Sequence, residues 1–378
     1  MPIFILSNRG IVRYKGEKKD SFSNDEYSLP NFRIARCNLE NYQPPKPKDA
    51  KDKKFYKNRN ILDYQILSEP GEYGYSKVLD LLLKEKGLKD SPITIDHLGG
   101  SQRMFYELYK SMVKAEKKSK DVLIFIHGYA YTFDDELKAI LDLKKMFIDN
   151  KSTPIENMIF VSWPASSSVF PLTYFDDKLM SINSGHSLMR LFYLYLQFLK
   201  EIFSNKDLKP CNQKIHLVAH SMGNRVLQSM LYSLKNENIN RVLDQVILLN
   251  ADVSHKVFEE SENSFCLLPL LANRISIYIN RKDLILNISQ FSKNILSPRL
   301  GKSGPTNFEN LKKVISVIDC TQAKNDLNPS LKMELGEHWG YLSSSSVQND
   351  IYETLNGTDK TLIANRKNVG ESSYELLS

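Results

Sequence analysis

The sequence predicts an α/β fold with a mostly parallel central sheet flanked by helices, and three observations predict it. Six short β-rich runs, at 121–126, 158–163, 215–219, 246–250, 275–279 and 314–318, are separated mostly by segments long enough for a crossover helix. The run IHLVAHSMGN at 215–224 passes from an apolar strand through a small-residue turn into a helix-compatible stretch. The strand at 121–126 ends directly in His127 and Gly128. Sites in such sheets assemble at the C-terminal ends of the strands. The residues just past each run are therefore the ones to read for chemistry.

Taken in chain order, residues 1–95 form an N-terminal extension. It holds strand-like runs at 3–6 and 32–35 and a Pro-, Lys- and Asp-rich stretch at 41–60 that reads as a linker or surface loop. An amphipathic helix is expected over 75–86, with Val78, Leu81 and Leu82 on one face. The extension either adds strands to the sheet edge or forms a small lobe. The main α/β domain spans 96–378, beginning with a helix capped by Ser101 and running to about 117. Between Trp163 and Lys209 lies a connection longer than one crossover helix needs. The insertion at 164–209 is expected to form a lid or acyl pocket lined by Phe170, Tyr174, Phe175 and Met180. The competing expectation is that Tyr174 and Asp177 pin the loop while a helix at 188–203 fills the core. The tail after Gly357 is polar enough to fray.

The chemistry centres on Ser221. A nucleophile elbow lifts one serine on a strained strand-to-helix turn, which demands small residues two before and two after it. Ala219 and Gly223 stand there; the usual pattern has glycine at the first position, so Ala219 is a departure. The backbone N–H of Met222, at the helix N-terminus, and that of Tyr129, after Gly128, are the candidate oxyanion donors. Asp283 follows the 275–279 run, and His338 follows the last one within the sequence GEHWG. This order and placement suit a nucleophile (Ser221), an orienting acid (Asp283) and a general base (His338). Asp252, one strand earlier, is the reserve acid; its other expected role is to cap a helix from Ser254. His220 is expected to pack beneath the elbow, His127 to tether the oxyanion loop, and Asp319 to be structural.

The pieces IHGY at 126–129, VSWP at 161–164, AHSMGN at 219–224, LNAD at 249–252, YINRKD at 278–283 and His338 together resemble the DUF900 group of α/β-hydrolases, a bacterial family. The likeness runs from about 121 to 341 and leaves out residues 1–95. It implies an α/β-hydrolase fold and an esterase- or lipase-like serine hydrolase, with the same roles for Ser221, Asp283 and His338. It does not imply a substrate.

Composition adds bounds. Four scattered cysteines lack metal or redox spacing and read as reduced, and the N-terminus has neither the basic start nor the apolar length of a signal peptide. With no apolar run of spanning length, the chain is expected to be cytoplasmic. The net charge of +7 sits largely in runs at 46–54 and 114–120. These read as a solvated loop and a helix end, or as a patch for peripheral contact with an anionic membrane. Nucleic acid is not expected, since no recognition motif accompanies the charge. Neither a cofactor nor a metal is called for. The expected reaction is hydrolysis of an ester or thioester, of a small molecule or a lipid or acyl conjugate. Amide hydrolysis uses the same machinery. The rival from another class is a pseudo-hydrolase that keeps the fold as a binding or scaffolding module, and a protein partner docked on the N-terminal extension is a further expectation.

Overall fold

In a computed structural model, the apolar runs become the strands of one large sheet. The structure describes residues 2–377 except 14, 16–17, 28–31, 40–61, 70–73, 115–119, 166–173, 209–210, 235–240, 260–263, 294–296, 307–310, 312 and 328–335. The 41–60 stretch, most of both basic runs, Phe170 and the side chain of Phe175 lie outside the described residues.

The strands in chain order are β1 (Ile3–Ser7), β2 (Arg9–Val12), β3 (Ser21–Tyr27), β4 (Arg33–Asn38), β5 (Asp63–Leu67), β6 (Asp121–Ile126), β7 (Ile155–Ser162), β8 (Ile215–His220), β9 (Leu243–Leu249), β10 (Ala272–Ile279), β11 (Ile315–Asp319), β12 (Arg366–Gly370) and β13 (Ser373–Leu376). Eleven of them form a single sheet in the order β12-β13-β11-β10-β9-β8-β6-β7-β1-β4-β5. From β13 to β1 every neighbouring pair is parallel; β12, at one end, and β4, near the other, run antiparallel to their neighbours. The remaining pair, β2 and β3, makes a separate antiparallel hairpin.

Strand periodicity explains the two cores. Along β1, Phe4 and Leu6 face one apolar layer while Ile3 and Ile5 face the other. The same split divides Val122 and Ile126 from Leu123 and Phe125 in β6, and Leu217 and Ala219 from Val218 in β8. Both faces being covered, these strands read as continuous hydrophobic runs. Helices Ser76–Glu85, Gly100–Val113, Tyr174–Ser204 and Gly223–Ser233 cover the first face; Phe133–Leu143 and Ser345–Leu355 cover the second.

Several expectations need correction. The helix expected from Ser101 spans Gly100–Val113, with Gly99 at the cap; Ser101 instead binds the Glu69 carboxylate through its N–H and hydroxyl. No helix starts at Ser254, which bridges to Arg299 and is followed by turns over 255–259. The helix expected at 188–203 is one long element, Tyr174–Ser204. The tail does not fray: β12 and β13 close the sheet edge, where the buried Arg366 guanidinium pairs with Asp350 at 2.7 Å and Tyr374 and Leu376 are buried. Among the described residues, no helix is long and apolar enough to cross a membrane.

Candidate active site

Strand β8 delivers Ser221 into the turn before the Gly223–Ser233 helix. Its φ of 52° lies in the left-handed region, which costs a non-glycine residue about 1 kcal/mol or more and persists only where the surroundings over-determine it. Three backbone contacts do so here. The Ser221 N–H donates to the Leu249 carbonyl at 3.0 Å, and the Ser221 carbonyl accepts from the N–H groups of Asn224 and Asp252, each at 3.1 Å. The Asn224 amide adds bonds to the carbonyls of Ala219 and Ser221. The demand for small neighbours is steric. A Cβ on Gly223 would stand 2.5 Å from the His127 carbonyl oxygen and 2.6 Å from that of Ile126. Ala219 is fully buried, so a methyl is accommodated at the other small position.

Asp283 follows β10 and His338 lies in the short 3-10 turn Gly336–Trp339; the two are joined by a 2.7 Å bond from His338 Nδ1 to Asp283 Oδ2. Asp283 Oδ2 also accepts from the Asn250 amide at 2.8 Å, and Oδ1 accepts from the Leu286 N–H at 2.9 Å. Burial alone would raise the Asp283 carboxyl; His338, Leu286 and Asn250 outweigh it and hold the group below the usual carboxylate range. An ionised acceptor fixes the proton on Nδ1 of His338, so Nε2 carries the lone pair.

His220 ties the two halves together. Its Nε2 donates to the His338 carbonyl at 3.0 Å, and its ring lies 4.8 Å from that of His338 and 5.0 Å from that of Tyr341. Burial, reinforced by His338, lowers the His220 imidazole to about 3. It is therefore a neutral spacer beneath the elbow. The bond passes through the residue just before Ser221, so the backbones carrying Ser221 and His338 are held in register.

The strand end after β6 faces the elbow from the other side. A Cβ on Gly128 would lie 2.9 Å from the Ser221 Cβ and 3.1 Å from His220 Nδ1, so glycine permits this close approach. His127 is buried and stacks on Trp163; its Nδ1 meets the Gly128 carbonyl at 2.8 Å, and its Nε2 lies 2.8 Å from Glu136 Oε1 and 3.1 Å from the Trp163 N–H. Tyr129 follows, partly buried, and Met222 is fully buried at the start of the elbow helix. The site thus brings a strained serine, a bonded His–carboxylate pair and two backbone segments to the same strand ends.

Asp252 sits next to the elbow but faces another set of partners. Its carboxylate accepts from the Tyr174 and Ser289 hydroxyls, each at 2.7 Å, with Arg299 Nε 3.7 Å away. The insertion residue Tyr174 is accordingly a buried anchor, and Met180 packs against the core. The long helix to which both belong is pressed onto the elbow helix: a Cβ on Gly185 would lie 2.4 Å from that of Ser229, whose hydroxyl donates to the Ile182 carbonyl at 2.6 Å. Among the described residues, no group of three or more His, Cys, Asp or Glu side chains is placed to hold a metal ion.

Sequence reasoning missed Asn250. At φ 43°, it uses its backbone N–H on the Tyr278 carbonyl and its side chain on Asp283, spanning the gap between the elbow and the acid. The signal was present, since asparagine tolerates the left-handed region and this one ends a strand. Glu136 and Arg9, beneath His127, gave no such signal, because their partnership spans 127 positions.

The family model DUF900, an alpha/beta hydrolase of unknown function, matches residues 106–354. Comparison with curated proteins finds no match.

Proposed function

From the premise that the chain belongs to the DUF900 family of alpha/beta hydrolases, we propose that it is a carboxylesterase- or lipase-like serine hydrolase. Its substrate on this reading is an ester or thioester of a small molecule or of a lipid or acyl conjugate. The observation that carries the proposal is the buried 2.7 Å bond between His338 and Asp283, together with a serine held at φ 52° whose preceding residue, His220, bonds the His338 carbonyl.

Each residue then has a defined task. Ser221 Oγ attacks the acyl carbon while His338 Nε2 takes its proton, and the carbonyl π pair moves onto oxygen. The N–H groups of Tyr129 and Met222 receive that oxyanion. Asp283 holds the Nδ1–H tautomer and stabilises the imidazolium that forms. On collapse, the alcohol or thiol leaves with the proton from His338, and Ser221 retains the acyl group. Water, deprotonated by His338, attacks that acyl-enzyme, and the acid departs as Ser221 recovers its proton.

The test is covalent labelling by a fluorophosphonate, followed by a panel of esters, thioesters and phospholipids. Labelling of wild type and its loss in Ser221→Ala is the expected result. A folded wild-type protein that neither labels nor turns over any of the panel would sink the proposal in favour of a binding module.

A further inference from the structure

The amino-terminal hairpin reaches towards the candidate site through Arg9. Arg9, in β2, is fully buried. Its Nη2 and Nε lie 2.5 and 3.2 Å from Glu136 Oε1, itself fully buried and 2.8 Å from His127 Nε2. Burial alone would raise the Glu136 carboxyl, but Arg9 and His127 outweigh it and hold it lowered. The rest of the guanidinium is spent on backbone and hydroxyl. Nη1 donates to the carbonyls of Ser23 and Asn24, Nε also reaches Ser162 Oγ, and Nη2 donates to the Tyr131 carbonyl at 3.0 Å.

That last bond ends on the segment from His127 to Tyr131. Ala130, inside it, has φ 59°, a left-handed conformation that a residue with a Cβ adopts only under constraint. The segment is fastened at one end by His127, stacked on Trp163 and facing Glu136, and at the other by Arg9 on the Tyr131 carbonyl. Asn24 of the hairpin adds a further bond, its Oδ1 accepting from the Phe133 N–H at 2.8 Å. A planar fork that binds a carboxylate and a carbonyl at once is what arginine supplies and lysine does not.

We propose that Arg9, acting through Glu136, is a positioning residue that clamps the His127–Tyr131 loop so that the Tyr129 N–H faces the acyl oxygen over Ser221. This rests on the reading of Tyr129 as an oxyanion donor. It also assigns a role in the site to the hairpin, which precedes the family-matched region.

The test uses the whole 378-residue chain. Arg9→Gln removes the guanidinium facing the buried Glu136 carboxylate, which threatens folding. The double variant Arg9→Gln/Glu136→Gln removes both charges and keeps a pair of amides. Arg13→Gln, at an exposed pair on the same hairpin, is the control. Two measurements are made on protein that melts cooperatively. In hydrogen exchange, the double variant is expected to exchange at least about tenfold faster over residues 128–131, with β8 and the elbow helix unchanged. In fluorophosphonate inactivation, the maximal rate is expected to fall about 10- to 100-fold, with half-saturation within about threefold of wild type. Arg13→Gln should match wild type in both. Unchanged exchange at 128–131, a uniform rise across the domain, or full recovery by Arg9→Lys would each overturn the clamp. Failure of wild type to label would remove the hydrolase reading alone, because exchange still decides whether Arg9 holds the loop.

Discussion

Replacing Asp283 by asparagine separates charge from shape. The carboxylate accepts three hydrogen bonds, from His338 Nδ1 and Asn250 Nδ2 on one oxygen and from the Leu286 N–H on the other. An asparagine with its oxygen towards His338 keeps two of these and sets its NH2 group against the Leu286 N–H; the opposite orientation opposes two donors. The first orientation therefore wins and retains the His338 tautomer. What disappears, on the proposed mechanism, is the negative charge facing the imidazolium of the transition state. With charge centres about 4 Å apart and an effective dielectric of about 20, that attraction is about 4 kcal/mol, or a factor of about 10³ in rate. The assay is the second-order rate of fluorophosphonate labelling at neutral pH, on variants shown to melt cooperatively. Asp283→Asn should label about 10³-fold more slowly, and Asp252→Asn should stay within about tenfold of wild type. Labelling of Asp283→Asn within about threefold of wild type, or an equal fall in Asp252→Asn, would refute the assignment of the acid.

Tyr174→Phe removes a hydroxyl shared by Asp252 and Ser289. It should cost about 1–2 kcal/mol in chemical denaturation while leaving the labelling rate nearly unchanged; a loss comparable to that of Asp283→Asn would draw Asp252 into the catalytic machinery. Gly223→Ala forces a methyl against two backbone carbonyls, and should destabilise the fold by about 1–3 kcal/mol and slow labelling. An unaltered melting temperature and rate would show that the elbow has room to relax. The pH dependence follows from His220, whose folded value lies near 3, below the ordinary value of 6.5. On acidification the unfolded chain takes the proton first. The neutral imidazole thus costs nothing above pH 6.5, and stability is lost as pH falls from there towards 3, by up to about 1.4 kcal/mol per pH unit. Denaturation at pH 7, 6, 5 and 4 should show a shallower loss for His220→Asn than for wild type, and parallel curves would contradict the assignment.

The residues of the candidate site were readable in the sequence where reactive side chains and strand ends coincide. Ser221, Asp283 and His338 each follow a short apolar run, and turn residues punctuate those runs. The long-range partners were not legible. Asn250 marks a strand end, but its partner lies 33 positions away, and His220 acts through a carbonyl 118 positions away. The pocket expectation treated Tyr174 as a lining residue, whereas its hydroxyl reaches Asp252 and Ser289, neither of which periodicity could have paired with it. The C-terminal strands were hidden for a different reason. β12 is mostly exposed and polar, and its anchor is the buried Arg366–Asp350 pair, which in sequence looks like surface charge.

The position of β1 bears on how the chain assembles. Its apolar residues are made well before those of its parallel neighbour β7: Ser7 meets Ser162 across 155 positions. Closing so long a loop is entropically slow, and of the two described neighbours of β1 it is β4 that is close enough in sequence to shield the strand early. Until then, the buried residues Ile3, Phe4, Ile5 and Leu6 are exposed to other chains. The reverse holds for a fragment cut after residue 95. It would leave β7, with Met158, Phe160 and Val161, as an open, apolar edge. Such a fragment should self-associate on synthesis, and supplying residues 1–95 in trans during refolding should suppress that association.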